Sequence, residues 1–171
     1  MDVDPLEAPA ADGQQPVVEY RAARPYLGVV RTVTWTGTAA AADRIPELFA
    51  HLTAHGVPPA GAPFLRYHRI AGEHELVVEA GVPVTEPVPR AGEMRVGTLP
   101  AGRYLVVVHA GHPDELVAVA DGMAAHARDR GWAFDRRGEA WGCRLETFLT
   151  DPRVEPDPRR WRTEVAVRLA D

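Results

Sequence analysis

The chain has 171 residues and a formal net charge of −5, which fits one domain or two small fused units and argues against nucleic acid as a direct partner. It contains no Lys, Ser or Asn, so its 19 basic residues are all Arg, and serine nucleophiles, Schiff-base lysines and phosphate-binding P-loops are excluded. Its single Cys permits no internal disulfide, and no apolar run approaches the roughly 20 residues of a membrane span.

The N-terminal stretch 1–15 is acidic, rich in Pro and Ala, and without hydrophobic periodicity. This composition predicts a disordered tail, and it has neither the basic nor the apolar region of a signal peptide. The lack of signal-peptide features and the single Cys lead us to expect a cytoplasmic protein. We expect the ordered domain to span 16–170.

The first half of that domain, 16–84, has the pattern of a β-β-α-β-β unit. Val- and Thr-rich runs indicate strands, and a stripe of apolar residues at helical spacing indicates one helix. The predicted elements are strands at 17–23 and 26–35, a helix that ends at Gly56, and strands at 64–70 and 75–84.

The second half, 94–170, repeats this order after a Pro-rich linker at 85–93. Its predicted elements are strands at 94–98 and 104–110, a helix from about residue 113 to Gly131, and strands at 141–150 and 163–169. Tyr26 and Arg66 recur as Tyr104 and Arg144 at an offset of 78 residues, which indicates an internal duplication. The predicted fold class is α+β, an antiparallel sheet with both helices on one face and a ligand groove on the opposite face, between the repeats.

The predicted strand 141–150 carries the strongest chemical candidate. Its alternation puts Cys143 and Leu145 on the helix-facing side and Arg144, Glu146 and Phe148 on the other. A carboxylate there could attract a cation, act as a general base, or pair with Arg144. The residue equivalent to Glu146 at the repeat offset is His68, which joins the candidate site.

Large aromatic residues are the candidate walls of the groove, because their faces suit flat, apolar or cationic ligands. The candidates besides Phe148 are Trp35, Tyr67, Tyr104, Trp141 and Trp161. By strict alternation Tyr67 and Trp141 fall on the helix side. His51 and His55 share a helix face without a third ligand nearby, so we predict no metal and no cofactor.

Several segments resemble the GyrI-like small-molecule-binding family, which includes the effector-binding domains of AraC-type and MerR-type multidrug regulators. The matching segments are LPAGRY at 99–104, GHPDEL at 111–116, LETFLTDP at 145–152 and WRTE at 161–164, with PFLRYH at 63–68 and VEAGVPV at 78–84 in the first half. They occur in the family's order along nearly the whole predicted domain.

The resemblance implies a tandem β-α-β-β repeat of the SHS2-like type with a groove for bulky, aromatic, often cationic compounds, and Glu146 corresponds to the family's groove glutamate. We therefore expect a stand-alone multidrug-binding protein with no direct DNA binding, since the chain has no DNA-binding domain. One alternative is an enzyme, a hydrolase of cyclopropane-containing (cyclopropanoid) natural products that uses Glu146 catalytically. A second is a protective protein that binds DNA gyrase. The oligomeric state stays open, since the edge strands of the sheet could pair in a homodimer.

Overall fold

The computed structural model describes residues 15–72 and 74–171, so the predicted tail lies outside the described residues except for Gln15. The first half follows the predicted order. Its elements are β1 (Val17–Arg21), β2 (Arg24–Val33), a four-residue helix α1 (Ala39–Ala42), α2 (Ile45–Ala54), β3 (Phe64–Ala71) and β4 (Glu75–Pro83). Helix α2 has Pro in its first turn and is followed by Gly56, whose positive φ of 65° suits the chain reversal after a helix.

The second half repeats the order and adds one short hairpin. Its elements are β5 (Arg95–Leu99), β6 (Gly102–Ala110), α3 (Leu116–Asp129), β7 (Arg136–Arg137), β8 (Ala140–Trp141), β9 (Arg144–Phe148) and β10 (Arg162–Arg168). The predicted strand 141–150 is therefore interrupted. It breaks at Gly142, where the Asp135 carboxylate fills the place of a Cβ atom and the Asp135 carbonyl accepts the Gly142 N–H.

The strands form one antiparallel sheet in the order β1-β6-β10-β9-β3-β4-β2-β5, with the β7–β8 hairpin attached to β3. The two halves exchange their first strands, because β1 pairs with β6 and β5 pairs with β2. They meet at the central pair β3–β9. The predicted α+β fold with an antiparallel sheet is confirmed.

The two longer helices pack on the same face of this sheet. Leu48 of α2 belongs to the same buried cluster as Leu65 of β3, and Met123 of α3 belongs to the same cluster as Val165 of β10. Leu65 and Val165 both pair directly with Glu146, so all three side chains point to one side of the sheet. No helix in the described residues is long and apolar enough to cross a membrane.

The opposite face is closed because the sheet curls. Residues from both halves form one buried cluster there: Tyr26, Phe64, Leu99, Tyr104, Val106, Cys143, Leu145 and Ala166. The prediction of a ligand groove on this face is wrong, and so is the assignment of Cys143 and Leu145 to the helix side. Both faces of the sheet are buried, and alternation alone cannot tell which face the helices cover.

Candidate functional site

A groove lies on the helix side, between α1 and α3, where the two halves meet. It has a volume of about 800 Å³, which is within the usual range for small-molecule sites. Strands β3 and β9 form its floor, with Leu65, Tyr67 and Ile70 from one and Arg144, Glu146 and Phe148 from the other. Val117 of α3 also lines it, although 58% of this side chain is exposed.

Glu146 is the carboxylate on the groove floor. The Tyr67 hydroxyl donates a hydrogen bond of 3.1 Å to its Oε2 atom, and this is its one side-chain donor among the described residues. Burial raises the pKa of Glu146 above its ordinary value, while the Tyr67 hydroxyl and the Arg144 charge act in the opposite direction. Removal from water thus outweighs the stabilisation that the protein supplies to the charged form.

Arg144 lies beside Glu146 without pairing with it. No ion pair within 4.0 Å joins the two in the described part of the chain. The guanidinium carbon instead lies 4.9 Å from the centroid of the Trp141 ring and 5.7 Å from that of the Tyr67 ring. Burial lowers the pKa of Arg144, although the negative charge of Glu146 acts to raise it. The predicted alternative of a Glu146–Arg144 pair is therefore wrong.

Aromatic side chains surround these two groups. Trp35 stacks on Tyr67 with ring centroids 6.1 Å apart, and its indole N–H donates to the Gly72 carbonyl. Trp161 is fixed by a hydrogen bond of 2.7 Å from its indole N–H to the Glu155 carbonyl. The structure thus brings six of the eight sequence-predicted site residues together around the groove: Trp35, Tyr67, Trp141, Glu146, Phe148 and Trp161.

The other two predicted residues lie on the opposite face. Tyr104 is buried in the cluster there, and its hydroxyl donates to the Pro100 carbonyl. His68 donates to a carboxylate oxygen of Glu79 at 2.7 Å. The offset of 78 does not preserve the face of the sheet, because Glu146 lies on the same side as its ladder partner Leu65, whereas His68 lies on the other side. Neither side chain lines the groove.

The sequence analysis did not identify Glu79 as a buried polar centre. This side chain is fully buried and accepts hydrogen bonds from Tyr26 at 2.5 Å, His68 at 2.7 Å and Arg95 at 2.8 Å. Burial favours a higher pKa, but the three donors outweigh it and lower the pKa of Glu79 from 4.5 to about 2. A lone carboxylate within the apolar run of β4 was the available signal, since such a group needs internal partners.

Metal binding has no support in the residues described. Nowhere in 15–72 and 74–171 do three His, Cys, Asp or Glu side chains come together in a way that could hold an ion. The rings of His51 and His55 are tilted by 44° with centroids 4.2 Å apart, and one ring nitrogen of each contacts a backbone carbonyl.

The family model of the GyrI-like small molecule binding domain matches residues 14–170. The chain belongs to the GyrI-like family. This confirms the resemblance seen in the sequence. No curated protein matches the sequence.

Solved structures share the fold at low sequence identity. The C-terminal domain of EcmrR superposes with a TM-score of 0.78 at 16% identity, covering 92% of this chain and 98% of that domain. The present chain spans 57% of the longer EcmrR chain solved with DNA, at 17% identity and a TM-score of 0.78.

Two further neighbours share the fold at still lower identity. A hydrolase from Listeria innocua superposes with a TM-score of 0.66 at 14% identity, covering 96% of this chain and 95% of that chain. SAV2435, solved with bound tetraphenylphosphonium, gives a TM-score of 0.56 at 10% identity, covering 91% and 94% of the respective chains. Identities this low establish the shared fold alone.

Proposed function

We propose that this GyrI-like protein is a multidrug-binding protein that takes bulky, aromatic, cationic small molecules into the groove between α1 and α3. The observation that carries the proposal is the Glu146 carboxylate, which lies on the floor of an aromatic-lined groove and has a single side-chain donor among residues 15–72 and 74–171. A ligand cation would supply a direct ion-pair partner for Glu146, which Arg144 does not contact, at a site where partial burial strengthens the attraction. Tetraphenylphosphonium bound to SAV2435 is a cation of this kind.

Tetraphenylphosphonium is the probe that tests the proposal, and tryptophan fluorescence reports on its binding. Trp35, Trp141 and Trp161, three of the four tryptophans, line the groove. We expect saturable quenching, and we expect Glu146→Gln to weaken the affinity roughly tenfold through loss of one attractive charge.

Two controls make this test specific for charge. Triphenylphosphine oxide is neutral and similar in shape, so its binding should respond little to Glu146→Gln. Glu93→Gln removes an exposed carboxylate outside the groove and should leave both affinities unchanged. The proposal fails if tetraphenylphosphonium does not bind saturably, or if its affinity is the same in the Glu146→Gln protein.

Hydrolysis of cyclopropanoid compounds is a second candidate function, favoured by the raised pKa of Glu146 beside a hydroxyl group. A carboxylate with a pKa nearer neutrality is a better general base. Glu146 would take a proton from water as the water oxygen bonds to a ring carbon, one ring C–C bond breaks, and the other carbon gains a proton. The hydrolase from Listeria innocua with the same fold supports considering this activity.

Mass spectrometry of cyclopropane-containing compounds incubated with the protein tests this second candidate. Turnover would give a product heavier by one water, and Glu146→Gln should abolish it while quenching by the compound is retained. Recovery of every compound intact would leave binding as the function. Gyrase binding stays a prediction of the family resemblance.

A further inference from the structure

The groove carries a guanidinium group that lies over two aromatic rings. Arg144 lies 4.9 Å from the Trp141 ring centroid and 5.7 Å from the Tyr67 ring centroid. The guanidinium of Arg136, which also lines the groove, is likewise 4.9 Å from the Trp141 centroid. Such cation–π contacts attract a guanidinium group to the ring faces and leave its N–H groups able to donate to an acceptor.

The N–H groups in the plane of the Arg144 guanidinium have no protein acceptor among the described residues. The nearest carboxylate on the strand, Glu146, takes its hydrogen bond from Tyr67 instead. Arg168, another Arg that is mostly removed from solvent, shows the usual arrangement, since it donates to the Ala101 carbonyl and to the carboxylate of Asp135.

Such an arrangement suits an anionic group on the ligand. A guanidinium fork binds a carboxylate through two parallel N–H to oxygen bonds, and a desolvated cation without a partner is costly. The floor of the groove therefore presents two complementary sites on one strand, a hydrogen-bond donor fork at Arg144 and a carboxylate two residues further on at Glu146.

We propose that the groove selects amphoteric aromatic compounds, in which a carboxylate binds the in-plane N–H groups of Arg144 while a cationic group faces Glu146. This inference rests on the proposed binding function and narrows its ligand class. A ligand that is only cationic gains at Glu146 but is repelled by Arg144, whereas an amphoteric ligand satisfies both groups.

Rhodamine 110 and its methyl ester, rhodamine 123, are matched probes for this inference. Both carry the same cationic aromatic ring system. Rhodamine 110 has a free carboxylate where rhodamine 123 has a methyl ester. Fluorescence anisotropy of each dye gives its affinity at neutral pH. We expect the acid to bind roughly tenfold more tightly than the ester, because its carboxylate can form charge-assisted hydrogen bonds with the Arg144 guanidinium.

Variants of Arg144 assign the preference to this side chain. Arg144→Met should remove the preference for the acid while the ester binds as well as before or better. Arg144→Lys keeps the charge without the planar fork and should retain part of the preference. Arg162→Gln, which removes an exposed Arg outside the groove, is the matched control and should leave the preference unchanged. Thermal melts followed by circular dichroism establish that each variant is folded.

The outcomes separate this inference from the proposed function. If both dyes bind saturably with equal affinity, or the ester binds more tightly, the role of Arg144 is overturned while the binding function stands. A preference for the acid that survives Arg144→Met overturns the assignment to this residue. If neither dye binds, both the function and the inference are overturned for this class of compound.

Discussion

Two carboxylates on opposite faces of the same sheet differ in how many hydrogen-bond donors the fold supplies to each. Glu79 accepts hydrogen bonds from Tyr26, His68 and Arg95, and its pKa falls to about 2. Within the described part of the chain Glu146 has one side-chain donor, Tyr67, and burial raises its pKa. Both are removed from water, so the number of donors decides the direction of the shift.

The surroundings of the two groups agree with this difference. Glu79 lies against the backbone of Gly28, where its Oε2 would be 2.6 Å from an added Cβ, so no space remains beside it. Glu146 faces the groove of about 800 Å³. The partners that Glu79 finds within the fold are the kind that a ligand can bring to Glu146.

Replacing Glu79 should have the largest effect on stability. Glu79→Gln leaves Arg95 and His68 without their anion and turns an amide N–H₂ towards hydrogen-bond donors. We expect a loss of about 3 kcal/mol in the free energy of unfolding, as for breaking a buried charge pair from one side. Urea unfolding at pH 7 measures it.

Glu164 provides the matched control for this substitution. It lies opposite Val108 of β6 as Glu79 lies opposite Val30 of β2, but it is partly exposed and bonded to the single residue Arg21. Glu164→Gln should cost no more than about 1 kcal/mol. Equal losses in the two variants would mean that the three donors of Glu79 contribute nothing beyond an ordinary surface pair.

The contribution of Glu79 should also disappear in acid. Its folded-state pKa of about 2 lies below the ordinary 4.5, so its stabilisation is fully present above pH 4.5 and is lost as the pH falls through about 2. The stability gap between wild type and Glu79→Gln should therefore narrow by up to about 3 kcal/mol across this window. Unfolding curves at intervals between pH 6 and pH 2 test this, and a gap that stays constant would contradict the lowered pKa.

Alternation along the second half predicted which residues share a face but not which face the helices cover. It correctly grouped Arg144, Glu146 and Phe148 apart from Cys143 and Leu145. Because the sheet curls, Cys143 and Leu145 are buried against residues from both halves rather than against a helix. Curling is a property of the whole sheet, and no single strand carries a signal for it.

The repeat was visible in the sequence, whereas its exact register was not. The order β-β-α-β-β in both halves followed from hydrophobic patterns and turn residues. The equivalence of His68 to Glu146 by a fixed offset failed because Glu146 lies on the same side of the sheet as its ladder partner Leu65, whereas His68, at the bulge between Tyr67 and Arg69, lies on the other side. A one-residue insertion moves the side chains that follow it to the other face of the sheet. A repeat offset therefore predicts the position of a strand more reliably than the face on which a side chain lies.

The smallest expected effect is on stability at Glu146, and its sign is opposite to that at Glu79. Glu146→Gln keeps an oxygen that accepts the Tyr67 hydrogen bond and removes a charge whose burial is unfavourable, so stability at pH 7 should be unchanged or higher by up to about 1 kcal/mol. Because burial raises the pKa of Glu146 in the folded state, the charged form opposes folding above the unfolded-state value, and any gain should vanish below it as both states become protonated. Urea unfolding of wild type and variant at pH 4 and pH 7 measures this difference. A clear loss of stability at pH 7 would show that Glu146 is held by its surroundings as firmly as Glu79, and the contrast between the two carboxylates would no longer distinguish a ligand site from a structural one.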